Sequence, residues 1–131
     1  MNLLVAGTRY FDDPALLFKK LDHLTKKLNK KKLVIVTGGG IPVRYKNEPG
    51  KRRGADSLAM DWAFKRRVTC KNYYPNWKKY GDSAGPRRNS EMVEVADFAC
   101  VFWDGKSRGT ADVIKKCRKK SIRVVIVKVR I

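Results

Sequence analysis

The chain has 131 residues, 43% of them hydrophobic and 10% aromatic, with glycine and proline scattered; that is the make-up of one globular domain and excludes a disordered or fibrous chain. Lysine and arginine number 31 against 12 aspartates and glutamates, a net charge of +19, far beyond what solubility requires, so a phosphate-bearing or polyanionic partner is expected. No apolar stretch is long enough to cross a bilayer, and residues 1–7 follow no basic segment, so no membrane role and no signal peptide are read.

Cys70, Cys100 and Cys117 are odd in number and dispersed, which suits reduced thiols and a cytoplasmic location. With no C-x-x-C pair and His23 as the single histidine, no metal site is expected.

In chain order, residues 2–6 form an apolar run that reads as a buried strand, followed by Gly7, Thr8 and Arg9. Asp12, Asp13 and Pro14 cap and begin a helix in which Leu17, Leu21, Leu24 and Leu28 recur at helical spacing. Many of the lysines, such as Lys26, Lys27, Lys30, Lys31 and Lys32, read equally well as solvated faces that complement the negative end of a helix dipole. Residues 33–37 form a second strand closed by Gly38, Gly39 and Gly40, and Gly54, Ala55 and Asp56 open a helix carrying Leu58, Ala59, Trp62 and Ala63.

Between the glycines and that helix lies a basic insertion, residues 41–53, with Arg44, Lys46, Lys51, Arg52 and Arg53 against Glu48. It reads either as a flap over a polyphosphate or as a decoration without consequence. A third strand is expected over residues 68–74, then a loop over 75–85 containing Trp77 and Tyr80. Pro86 is expected to start the next helix, whose buried side would be Met92, Val93 and Ala96. Residues 98–103 are nearly all apolar, as in a strand covered on both faces, and 104–108 form its exit loop. Thr110, Val113, Ile114 and Cys117 follow a helical period, and residues 122–129 supply a last strand, an edge guarded by Arg123, Lys128 and Arg130. Strands alternating with helices predict a single α/β domain, a Rossmann-like doubly wound parallel sheet of about five strands with helices on both faces.

In such a sheet every strand-to-helix loop emerges at one edge, where ligands bind near the reversal of strand order. The loops expected there bring Gly7, Thr8 and Arg9 to Gly38, Gly39, Gly54, Ala55 and Asp56, and both to Pro86, Arg87, Arg88 and Asn89 and to Asp104, Gly105, Ser107, Gly109 and Thr110. Glycine admits a phosphate to the backbone, helix N-termini present polarised amides, and arginine adds bidentate contacts. Asp56 or Asp104 would accept from ribose hydroxyls or a base amine, and Trp77, Tyr80 or Trp103 would stack on a base. Neither G-x-G-x-x-G after the first strand nor G-x-x-x-x-G-K-[ST] occurs, which disfavours dinucleotide and P-loop chemistry of the usual kind.

Over nearly the whole length the chain resembles the SLOG superfamily, in its small YspA/YpsA-related branch of Rossmann-like nucleotide-binding proteins. The resemblance runs through VAGTR at residues 5–9, GADSLAMDWA at 54–63, NWKKYG at 76–81, AGPRRNSEMVEVAD at 84–97 and FWDGKSRGT at 102–110. It implies a nucleotide or nucleotide derivative as ligand, with its phosphate near Gly109 and Thr110 and the arginines Arg87 and Arg88. The LOG enzymes of the superfamily hydrolyse nucleoside monophosphates, and their R-K-x-x-M motif aligns with Arg88 to Met92. Their catalytic glutamate falls on Val113, which takes no proton, and Asp112 lies on another helical face; Arg88 and Glu91 are the residues left for an enzyme. Sensing or sequestering without turnover is therefore the expectation, with a LOG-like phosphoribohydrolase as alternative and, from the charge and the DNA-binding DprA relatives, a single-stranded nucleic-acid binder as the second. A homo-oligomer is compatible with the sequence.

Overall fold

A computed structural model describes residues 1–8, 10–39 and 54–130 of the chain. Arg9 and the basic insertion therefore lie outside the described residues, as does Gly40. The strands are β1 (Asn2–Gly7), β2 (Val34–Thr37), β3 (Thr69–Asn72), β4 (Phe98–Trp103) and β5 (Arg123–Lys128). They form one parallel sheet in the order β3-β2-β1-β4-β5.

The helices are α1 (Pro14–Thr25), α2 (Gly54–Arg66), α3 (Trp77–Tyr80), α4 (Ala84–Val95) and α5 (Arg108–Lys119). The start of α1 is provided for by its sequence. Asp13 caps α1 by accepting from the Leu16 amide at 3.1 Å, and Pro14, which needs no amide partner there, takes the first position.

Two apolar layers sandwich the sheet. On one face Leu3, Val5, Ile35, Cys100 and Phe102 meet Leu17 and Leu21 of α1 and Leu58 and Trp62 of α2. On the other, Leu4, Val36, Ala99 and Val101 meet Met92 and Val93 of α4 and Val113, Ile114 and Cys117 of α5. The alternation along β1 and β4 is the pleat, and a strand buried on both faces has no reason to interrupt its apolar run. Each fully buried leucine or isoleucine contributes about 1.5–3 kcal/mol relative to exposure. Trp62 also donates from Nε1 to Asp22 Oδ1 at 2.9 Å, and Arg66 grips the same carboxylate with two 2.9 Å bonds, tying α2 to α1 and lowering the Asp22 pKa.

The lysines divide. Lys30 donates to the Thr25 carbonyl at the end of α1, and Lys120 to the Val93 and Glu94 carbonyls at the end of α4, as expected of cations that answer the negative end of a helix. A shallow groove of about 310 Å³ between α4 and α5 is lined by Lys116, Lys119 and Lys120 among others, and two of these are committed to backbone carbonyls in this way. Among the described residues no helix is long and apolar enough to cross a membrane.

Two expectations need correction. The segment after β3 is not all loop: Asn76 caps the short helix α3 by accepting from the Lys79 amide at 3.1 Å, and a 3-10 turn over Gly81–Ser83 follows. Helix α4 starts at Ala84, so Pro86 is its third residue and not its first; proline is tolerated throughout the first turn because those amides have no helical acceptor.

Candidate functional site at the switch edge

The strand order reverses between β1 and β4, so the crevice expected of an open α/β sheet lies beyond the ends of these two strands. Their loops are stitched together. The Thr8 amide donates to the Phe102 carbonyl at 2.9 Å, and the Asp104 amide donates to Thr8 Oγ1 at 3.1 Å. Asp104 Oδ1 in turn accepts from the amides of Lys106 at 2.8 Å and Ser107 at 2.9 Å, which hold its carboxyl below the usual range. Trp103 Nε1 donates to the Ser107 carbonyl at 3.1 Å, so this indole braces the loop and is not a free stacking platform. Helix α5 leaves the loop with Ser107 as its cap residue, yet the Ser107 side chain makes no capping bond to the helix; its hydroxyl lies 3.1 Å from that of Thr110.

On the β2 side the edge is filled by protein. Arg88 reaches from α4 across to β2, donating from Nη1 to the Gly38 carbonyl at 2.8 Å and from Nε to Asn89 Oδ1 at 3.0 Å. Asp56, in the first turn of α2, is half-buried as a residue, but its carboxyl is directed inward against Gly38. Burial pushes this carboxyl up to about 6, against the opposing pull of the Arg88 cation and the Gly38 backbone. Cys70 sits near enough to feel that charge, and burial together with Asp56 raises its thiol to about 11, so it carries no thiolate at neutral pH.

The glycines of this edge serve different ends. A Cβ on Gly7 would stand 2.6 Å from the Ala55 Cβ and 2.9 Å from the Phe102 carbonyl oxygen, so this glycine lets α2 close onto β1. On Gly38 it would strike the Arg88 guanidinium, with Cζ at 2.9 Å, and on Gly39 it would strike the ring of Tyr74. Gly109 differs from all three. It has no left-handed φ, and among the described residues nothing lies within 4 Å of where its Cβ would be.

The remaining predicted residues separate. Asn89 is only 4% exposed and spends its amide on the Gly109 carbonyl at 3.3 Å and Asp112 Oδ2 at 3.0 Å, bridging α4 to α5. Arg87, about 100° around the helix from Arg88, turns outward, donating to Ser83 Oγ at 3.2 Å and covering the Tyr80 ring at 4.3 Å. Glu91 is exposed, Asp112 is paired with Lys116 at 2.8 Å, and Val113 is buried in the core. The carboxylate that faces Arg88 is therefore Asp56. Tyr74, which the sequence reading did not single out, covers Gly39; a tyrosine two residues beyond a strand and directly before Pro75 was the available signal.

No protein-family model matches the chain, and no solved structure matches it. It is, however, 31% identical over 132 residues to the Gene 61 protein of Mycobacterium phage D29, an alignment covering 95% of this chain and 94% of that protein. The chain belongs to the family of that phage Gene 61 protein.

Proposed function

We propose that the protein binds a nucleotide or nucleotide-derived phosphorylated ligand at the C-terminal edge of its sheet, and holds it without turning it over. The observation that carries this reading is Gly109. A glycine in the first turn of a helix gives up stability relative to alanine, and here neither φ nor a described neighbour requires it. Close approach of a ligand to the backbone is a use that accounts for such a residue. It coincides with the polarised amides of the α5 first turn, which face a phosphate with partial positive charge. Membership of the SLOG superfamily, proposed on the sequence motifs, agrees with this reading.

Mass spectrometry of gently denatured protein should reveal a co-purifying nucleotide, and calorimetry with nucleotides, cyclic dinucleotides and ADP-ribose derivatives should identify its class. Gly109→Leu should abolish that binding while the fold persists. Protein that is free of ultraviolet-absorbing ligand and silent against the whole panel removes the proposal.

A second reading, hydrolysis of a nucleotide N-glycosidic bond, draws on Asp56. A carboxyl raised to about 6 beside a guanidinium is in the range for proton transfer near neutral pH. Release of free base from nucleoside monophosphates, lost in Asp56→Asn, supports it; no release at high protein concentration eliminates it.

A further inference from the structure

Three of the six large hydrophobic side chains exposed among the described residues fall within one seven-residue stretch: Tyr74, Trp77 and Tyr80, at 64%, 57% and 36% exposure. Scattered exposed rings need no explanation, but a cluster does. The fold leaves room for this one: Tyr74 lies over Gly39, whose missing Cβ admits its ring, and the outer edge of the Trp77 indole comes to 3.4 Å from where a Cβ on Gly85 would be. Cations lie against Tyr80, one of the three, and against the neighbouring half-buried Tyr73. Lys79 and Arg87 stand 5.1 and 4.3 Å from the Tyr80 centroid, and Lys71 stands 5.2 Å from that of Tyr73. From residue 71 to residue 87 the chain carries Lys71, Lys78, Lys79 and Arg87, all exposed, against Asp82 as the acid.

We infer that this face, running outward from Gly39 along α3, binds single-stranded nucleic acid. Aromatic rings that open to solvent with cations beside them match a chain of unstacked bases joined by phosphates: bases stack on Tyr74 and Trp77, and Lys71, Lys78, Lys79 and Arg87 take the backbone. A duplex keeps its bases stacked inside and offers the rings nothing. An apolar protein surface would bury the lysines without an anion. The net charge of +19 supplies long-range attraction for the same partner. The inference is independent of the nucleotide pocket, since neither Gly109 nor Asp56 takes part.

The test is fluorescence anisotropy of the full chain with a short labelled oligothymidylate, against a hairpin duplex of equal charge. Log affinity for the single strand should fall linearly with log salt, by about 0.7 per phosphate contact. Replacing both rings, Tyr74→Ala with Trp77→Ala, should weaken binding at least about tenfold with the salt slope unchanged, while Trp77→Phe keeps most of the affinity. Lys78→Gln with Lys79→Gln should instead flatten the slope by about 1.4, on the same per-phosphate scale. Gly109→Leu should leave oligonucleotide affinity within about twofold of the parent, because a pocket-only contact is not a backbone contact. Equal affinity for the duplex, full competition by polyglutamate, or wild-type affinity in the double ring variant overturns the inference. Should the double ring variant melt early, the Trp77→Phe and lysine variants decide.

Discussion

The two halves of the switch edge are built from the same residue types and differ in what occupies them. Beyond β2 the glycines are filled, the Arg88 guanidinium lying on Gly38 and the Tyr74 ring on Gly39, and at the end of β1 helix α2 closes on Gly7. Beyond β4 the loop is tied down by Asp104, yet Gly109 opens on space among the described residues. A glycine beside a strand end is thus not one signal but two. Where the fold supplies the neighbour, glycine is a packing residue; where neither a neighbour nor a left-handed φ requires it, as at Gly109, the space is left for the proposed ligand.

This contrast can be broken at either half. The largest effect is expected at Asp56, whose carboxyl is raised from 3.8 to about 6. Because the folded state holds its proton more tightly than the unfolded chain, the stability it contributes is full below pH 3.8 and is lost as pH rises through about 6. At about 1.4 kcal/mol per pH unit, the loss is on the order of 3 kcal/mol. Urea unfolding at a series of pH values should show this decline in the parent and its absence in Asp56→Asn; parallel curves would mean that the filled half carries no strained charge.

Next comes Gly7→Ala. Overpacking against Ala55 and Phe102 should cost about 1–3 kcal/mol, read as a lower melting temperature. No change in melting would place Gly7 with the open glycines. Gly109→Ala should go the other way, gaining up to about 0.5–1 kcal/mol because alanine is the better helix former. The same substitution should weaken nucleotide binding, and a variant that is more stable and binds as well as the parent would falsify the division between the halves. Smallest of all is Arg87→Ala. Its exposed side chain rests on Tyr80 away from the switch edge, so stability should move by less than about 0.5 kcal/mol and nucleotide affinity not at all; a calorimetric loss matching that of Arg88→Ala would return Arg87 to the proposed site.

Much of the architecture was legible because it depends on local pattern. The Asp13–Pro14 start of α1, the Thr110, Val113, Ile114 and Cys117 stripe of α5 and the unbroken apolar runs of β1 and β4 each state their environment in their own periodicity. Helix α3 escaped because it has only four residues and no apolar period; Asn76 was its single mark. The convergence of the strand-end loops was legible, because it follows from the parallel sheet; what each side chain does there was less so. Adjacent arginines look alike in a sequence, but a helix turns them apart, so Arg88 enters the edge and Arg87 leaves it. Asn89, expected on the ligand, spends its amide on α5, and no local signal distinguishes such a bridge from a contact. The flap reading of residues 41–53 and the contribution of Arg9 lie outside the described residues.

The Asp104 turn bears on the cost of recognition. A loop that must be frozen when its ligand arrives loses conformational entropy at that moment, about 1–2 kcal/mol for each residue fixed. Here Thr8, Asp104, Trp103 and Ser107 have spent that entropy during folding, through bonds that need no ligand. Under the proposed reading, a ligand at α5 would meet a preorganised cradle, and the interaction energy it gained would be left for affinity instead of ordering the chain.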